Sequence, residues 1–184
     1  MKIKKFNINL RKSRIYRDLK QKIDVTQEIE EAVEKNIEEV KNIIFPASIF
    51  KTFSFKELDK EIIDRINISK NTLAVTFSGV TIGFEIEEKI KESEIKKENI
   101  KKLILESISK EALEQSSNFI YKIIEEEAKK DNCEISIKAE IPLELRGILR
   151  SILELEKVNI KIEENKVFPK YTIFEYFVWK PKKR

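Results

Sequence analysis

The sequence predicts a single α+β domain with helices and strands mixed around one sheet. Two observations lead to this fold class. Segments with an apolar residue at every third or fourth position alternate with segments in which apolar residues recur at every second position. The chain has 184 residues, and no internal repeat or low-complexity linker divides it. A chain of this length suggests one domain.

Three helices and two strands are predicted in the first half. The helix over residues 26–44 carries one apolar stripe; Asp24 and Gln27 would form its capping box, and Pro46 ends it. The elements that follow are an alternating aromatic strand at 49–55, a short helix at 56–66, a buried strand at 72–81 and a short helix at 84–91.

Two helices, one of them long, and three strands are predicted in the second half. Residues 97–130 are helical, with a break near 107–110 where a new start is suggested. The remaining elements are an alternating strand at 133–141, a helix that begins at Pro142, a short strand at 158–162 and an aromatic closing strand at 171–179.

Three segments are expected from these elements. An N-terminal extension spans residues 1–23, where a short strand is followed by a helical turn or loop. The domain proper spans 24–179, and residues 180–184 form a basic tail. The tail is interpreted as a solvated end.

The composition excludes several kinds of active site. The chain has no His, one Cys and three Gly. These counts exclude a Ser-His-Asp triad, a disulfide, a cysteine-rich metal site and the glycine-rich loops that cradle nucleotides. The 37 Lys and Arg nearly balance the 33 Asp and Glu, and acids interleave with bases. We therefore expect no nucleic-acid partner.

The ends and apolar segments predict a cytoplasmic protein. The N-terminus lacks the apolar region of a signal peptide, and no segment approaches the about 18–20 apolar residues of a membrane helix. The single thiol fits a reducing compartment. No membrane partner is expected.

Other candidate features have plain structural interpretations. The run Glu125-Glu126-Glu127 is a solvated helix face, because consecutive helical residues point in different directions. Cys133 is a passive thiol. The aromatic strands are interpreted as core, with single-stranded nucleic-acid binding as the weaker alternative.

One stretch resembles the activation domain of vitamin B12-dependent methionine synthase. That family has a hydrophobic strand, then T-[IL]-G, then an acidic helix; here Thr81-Ile82-Gly83 stands before Glu85, Glu87 and Glu88. Shorter similarities in the same order span residues 24–179: Pro46-Ala47, Leu105-Glu106-Ser107-Ile108, Ala112-Leu113-Glu114, Ile162-Glu163-Glu164 and Pro169.

The resemblance implies a helmet- or C-shaped α+β domain around a twisted, mostly antiparallel sheet. Such a domain binds S-adenosylmethionine and presents its methyl group to cobalamin. The cobalamin would be carried by a partner, either a cobalamin-dependent methionine synthase or another corrinoid protein. A flavodoxin-type or ferredoxin donor would supply electrons, and the chain, if active, would be a component of that methyltransferase.

The resemblance also assigns four candidate residues for binding S-adenosylmethionine. The family's R-x-x-x-G-Y motif falls near Lys138 without its Arg, Gly or Tyr, and an aromatic position falls near Lys166. Glu114 and Glu164 are acidic positions that could accept from an amine or a ribose hydroxyl. Two functions follow: a stand-alone activation-domain-like protein, or a non-enzymatic binding or scaffold protein on the same fold that has lost S-adenosylmethionine binding.

Overall fold

A computed structural model describes residues 1–66, 68–69, 71–164 and 166–182. Its strands are β1 (Lys2–Lys4), β2 (Ala47–Ser54), β3 (Ala74–Thr81), β4 (Cys133–Glu140), β5 (Lys161–Glu163), β6 (Lys166–Phe168) and β7 (Thr172–Pro181). Its α-helices are α1 (Lys12–Leu19), α2 (Gln27–Val40), α3 (Lys60–Ile66), α4 (Glu85–Ile95), α5 (Asn99–Lys130) and α6 (Arg146–Ile152). The last two residues of the predicted basic tail lie outside the described residues.

Five strands form one antiparallel sheet in the order β1-β2-β3-β7-β4. Strands β5 and β6 pair separately as an antiparallel hairpin. β3 and β7 occupy interior positions in the sheet and are buried along most of their length. The sheet with its flanking helices confirms the predicted single α+β domain.

Each face of the sheet carries its own part of the core, because alternate side chains point to opposite faces. One face packs against α3, α6 and β5 through Val75, Phe77, Phe174, Tyr176 and Val178. The other face packs against α5 through Phe50, Val80, Phe177 and Trp179. A further cluster joins α1, α2 and α4 to the first half of α5.

The long helix α5 runs without the break expected near residues 107–110, so that prediction was wrong. Ser109 is fully buried, and its hydroxyl donates to the carbonyl of Leu105 at 2.8 Å. Ile108 and Ala112 are also fully buried in the cluster shared with α1, α2 and α4. Tertiary burial of this face outweighs the local preference for a new helix start.

The start and end of α2 also differ from the prediction. The helix follows Thr26, which has extended dihedral angles and no side-chain cap, so the box between Asp24 and Gln27 does not form. The helix ends at Val40. The backbone amides of Ile43 and Ile44 donate to the Val40 carbonyl and form turns in place of the expected last helical turn.

Two later elements begin further along the chain than expected. Pro142 precedes a 3-10 turn (Leu143–Leu145), and α6 starts only at Arg146. Another 3-10 turn (Leu155–Val158) occupies the start of the expected strand at 158–162, and Asn159 ends that turn with φ of 57°. β5 therefore begins at Lys161, and β6 was not predicted at all.

Residues 1–23 pack onto the rest of the chain through β1 and α1. β1 pairs with β2, and α1 lies against α5. Arg11 donates through Nε to Glu111 at 2.8 Å, where the carboxylate is almost completely buried. Partial burial by itself raises the pKa of Asp18, but hydrogen bonds from Lys22, Ser107 and Lys110 hold it at about 2.

None of the described helices is both long enough and apolar enough to cross a bilayer.

Candidate functional site

The four residues assigned by resemblance lie on opposite sides of the sheet. Glu114 projects from α5 and Lys138 from β4, on the face that α5 covers. Glu164 and Lys166 belong to the β5–β6 hairpin, which packs against the other face. The structure therefore does not bring the four side chains into one site.

Lys138 and Glu114 are both committed to ion pairs. The Lys138 Nζ lies 3.3 Å from Oε1 of Glu175 and donates to Oγ of Ser117 at 2.8 Å. The Ser117 hydroxyl in turn donates to Glu175 at 2.7 Å, and the Glu175 side chain is only 5% exposed. Glu114 accepts from Arg11 at 2.8 Å. Both residues stabilise the contact between neighbouring elements.

Glu164 and Lys166 lie in the open. Glu164 adopts a positive φ of 45° in the turn of the hairpin, and Lys166 begins β6. Both are exposed. A left-handed residue at this position shapes the turn and does not itself create a ligand pocket.

The Thr81-Ile82-Gly83 segment leads the chain from the end of β3 into α4. The Thr81 hydroxyl donates to the carbonyl of Tyr171 at 3.3 Å and accepts from the Gly83 amide at 3.2 Å. Gly83 has φ of +91°, a region that side chains with a Cβ rarely adopt. Ile82 is fully buried beneath this turn.

A groove opens beside that turn, between the start of α4 and the β5–β6 hairpin. Its first part has a volume of about 320 Å³ and is lined by Lys4, Lys5, Phe45, Gly83, Glu85 and Val158 among others. Its second part has a volume of about 480 Å³ and is lined by Glu87, Glu88, Lys91, Glu156, Lys161 and Phe168 among others. Phe84, Asn159 and Pro169 line both parts, so they form one α4 groove.

Three exposed phenylalanines surround the α4 groove. Phe45, Phe84 and Phe168 are 38%, 52% and 45% exposed. None of them stacks on another aromatic ring within the described residues. Exposed aromatic side chains that cluster around a concavity are typical of binding surfaces.

The two parts of the groove differ in charge. Lys4 and Lys5 face Glu85 in the first part, so bases outnumber acids there. In the second part three carboxylates face two lysines. The carboxylate of Glu85 folds back over the turn, since a Cβ added to Gly83 would lie 2.8 Å from its Oε2 atom. An elongated ligand would meet a basic end and an acidic end.

Two titratable groups outside the groove are held in their neutral forms. Burial raises the pKa of Tyr171 to about 12, and the charge of Glu106 acts in the same direction. Burial and the nearby Asp131 raise the pKa of Cys133. Neither group is an activated base or nucleophile at neutral pH.

No cluster of three potential metal ligands occurs among residues 1–66, 68–69, 71–164 and 166–182.

The motifs noted in the sequence supply part of the lining of the α4 groove, and among them are Pro46, Ala47 and Pro169. Thr81-Ile82-Gly83 and Glu85 were singled out as a motif, but Lys5, Phe45 and Asn159 come from three distant loops. Nothing in their local sequence marks them. A weak signal exists in Phe84 and Phe168, which stand outside the apolar periods of their neighbours.

Comparison with known proteins finds a likeness in fold alone. The crystal structure of the MetH reactivation domain bound to AdoHcy is similar, with a TM-score of 0.64 and 12% sequence identity. The match covers 86% of this chain and 66% of that one, so the chain spans slightly less than two thirds of the neighbour's length. No family model matches the sequence. No curated protein matches it either.

Proposed function

We propose that this chain is a protein of the methionine synthase reactivation type. It docks on a cobalamin-dependent methionine synthase or another corrinoid protein and assists reductive remethylation of its cobalamin, with S-adenosylmethionine as the methyl donor. The observation that carries the proposal is the likeness of fold to the MetH reactivation domain over 86% of the chain. Electrons come from a flavodoxin-type or ferredoxin donor.

The chain's own part in this function is binding and orientation. The Cys133 thiol and the Tyr171 hydroxyl both have raised pKa values and stay neutral. In the proposed function the reactive atoms belong to cobalamin and to the methyl donor. When bound, S-adenosylmethionine supplies an electrophilic methyl group. The protein holds that ligand and excludes water while the corrinoid partner reacts.

A second candidate is a binding or scaffold protein on the same fold that does not bind S-adenosylmethionine. It is favoured because the four residues at the family's ligand positions lie on opposite sides of the sheet and do not form one site. Lys138 is held by Glu175 and Glu114 by Arg11. Side chains committed to such pairs are poor ligand groups, because their partners would lose the compensating charge.

Docking is tested by sedimentation velocity with the corrinoid's visible absorbance as the label. The partner is a cobalamin-dependent methionine synthase from which the reactivation domain has been removed. We expect the coloured boundary to move faster when this chain is added. The matched control is the intact synthase, whose own domain occupies the docking face and should reduce the association. Equal sedimentation with and without the chain would contradict the proposed function.

The two candidates are separated by calorimetry with S-adenosylmethionine. Saturable heat supports the reactivation function, whereas docking without any such heat supports the scaffold.

A further inference from the structure

We infer that the α4 groove is a binding site for a small molecule that joins a zwitterionic head group to a planar ring. The inference deepens the proposed function, on which it rests for the choice of probe, by moving the ligand site away from Glu114, Lys138, Glu164 and Lys166. The head would lie in the first part of the groove and the ring against Phe84 in the second.

The first part of the groove offers charges of both signs that are not paired with an opposite charge; the Lys5 ammonium lies 6.0 Å from the centre of the Phe45 ring. Among the described residues, no ion pair or side-chain hydrogen bond engages Lys4, Lys5 or Glu85. Some surface charges elsewhere do form ion pairs, as Lys12 does with Glu34 and Lys102 with Glu94. Two ammonium groups and one carboxylate that share a cavity are complementary to a ligand carboxylate and a ligand amine.

The backbone around this cavity is held in unusual conformations. Lys5, Gly83 and Asn159 all have positive φ, and they come from three separate loops. A non-glycine residue in this region costs free energy that the surrounding structure must offset, and such residues cluster at binding sites. The three loops turn their backbones around one concavity.

The second part of the groove offers an aromatic surface beside hydrogen-bond acceptors. Phe84 lies between the two cavities, and Phe168 lines the second. Their free faces can stack on a planar ring. The carboxylates of Glu88 and Glu156 can accept from ring amines or hydroxyls, whereas Glu87 already accepts from the Lys170 amide.

A larger cavity between α2 and α5 contains the buried Oδ1 of Asn36, which accepts no hydrogen bond from the described residues, but it lacks an aromatic surface. It has a volume of about 690 Å³ but no aromatic lining residue. Its Glu39 is already paired with Lys89 at 3.5 Å and with Lys101 at 3.8 Å. An aromatic surface beside charges of both signs, and not volume, distinguishes the α4 groove from this cavity.

The test is isothermal calorimetry on the full chain with S-adenosylhomocysteine, which carries both the head and the ring. Adenosine and L-methionine probe the ring and the head separately. We expect S-adenosylhomocysteine to bind more tightly than either part. Phe84→Ala should weaken it roughly tenfold or more, the usual loss when a stacking aromatic is removed. Lys5→Glu and Glu85→Gln should weaken it as well, through the head group.

Matched controls keep the test specific. Ile95→Ala removes an apolar side chain that is 80% exposed at the other end of α4, and Lys20→Glu reverses an exposed charge outside the groove. Both should bind like the wild-type chain, and thermal melting should show every variant folded. A failure to bind any probe would overturn the inference, as would groove variants that bind like the controls.

This outcome is independent of docking. Ligand binding lost in groove variants without any association with the corrinoid protein would leave the site standing and remove the proposed function. Docking without ligand binding would remove the ligand site and leave the proposed docking standing.

Discussion

Replacing Lys138 by Met should destabilise the protein, because it leaves a buried carboxylate without its counter-charge. The Lys138 Nζ is 3.3 Å from Glu175, whose side chain is 5% exposed. The resemblance made Lys138 a ligand candidate, whereas the structure makes it the partner of Glu175 beneath α5. The substitution separates these two roles.

The expected loss follows from the distance and the exposure. At 3.3 Å two unit charges attract by about 5 kcal/mol when the effective dielectric constant is about 20. Lys138 is 30% exposed, so solvent screens part of that attraction, and Ser117 still donates to the carboxylate. We expect a loss of about 2–3 kcal/mol in the free energy of unfolding, below the about 3–5 kcal/mol of a fully buried pair.

The assay is urea unfolding followed by the fluorescence of Trp179, the chain's single and buried tryptophan. Lys122→Met on the exposed face of α5 is the matched control and should change the midpoint very little. Adding Glu175→Gln to Lys138→Met should recover at least half of the loss, because it removes the uncompensated charge.

Equal urea midpoints for Lys138→Met and Lys122→Met would contradict this role of Lys138. A double variant with a lower free energy of unfolding than Lys138→Met alone would contradict it as well.

Three further outcomes are expected. Asp18 has a pKa of about 2 in the folded chain, against an ordinary value of 3.8. It therefore contributes stability above about pH 4 that is lost as the pH falls through 2. Asp18→Asn should remove about 1 kcal/mol of this acid dependence of the free energy of unfolding, measured at a series of pH values. Gly79→Ala should cost about 1–3 kcal/mol in urea, since the new Cβ would lie 3.0 Å from the ring of Phe174, and an unchanged midpoint would contradict the packing. Cys133, 4% exposed and with a raised pKa, should react with Ellman's reagent roughly a hundredfold more slowly in the folded chain than in urea.

The sheet strands and their burial were predictable because apolar periodicity records them directly. β3 is almost free of charge and is buried on both faces, as its composition indicates. The aromatic closing segment became β7, with Phe174, Phe177 and Trp179 buried in two different parts of the core. In both cases the pattern and the packing agree.

Helix boundaries were less predictable because they depend on contacts between distant residues. The Ser-rich centre of α5 looks like a break, yet the helix is continuous there, with Ile108 and Ala112 buried against other helices. Asp24 has the right spacing for a cap, but the helix begins after Thr26.

The candidate site was only partly predictable because its residues converge in space and not in sequence. Gly83 and Glu85 were found through a motif. Phe45 and Asn159 lie beside them because β2 pairs with β3 and because a 3-10 turn precedes β5. The ion pair between Lys138 and Glu175 was not predictable either, because the two residues belong to different strands, β4 and β7.

The most direct measurement is the rate at which an oxidised corrinoid returns to its methylated form, followed by visible absorbance. A cobalamin-dependent methionine synthase without its reactivation domain is supplied with a flavodoxin-type reductant, S-adenosylmethionine and this chain. The account predicts a rate that rises and saturates with the concentration of the chain, and that falls when Phe84→Ala replaces the wild type. A rate equal to that of the truncated synthase alone, at every concentration of the chain, would contradict it.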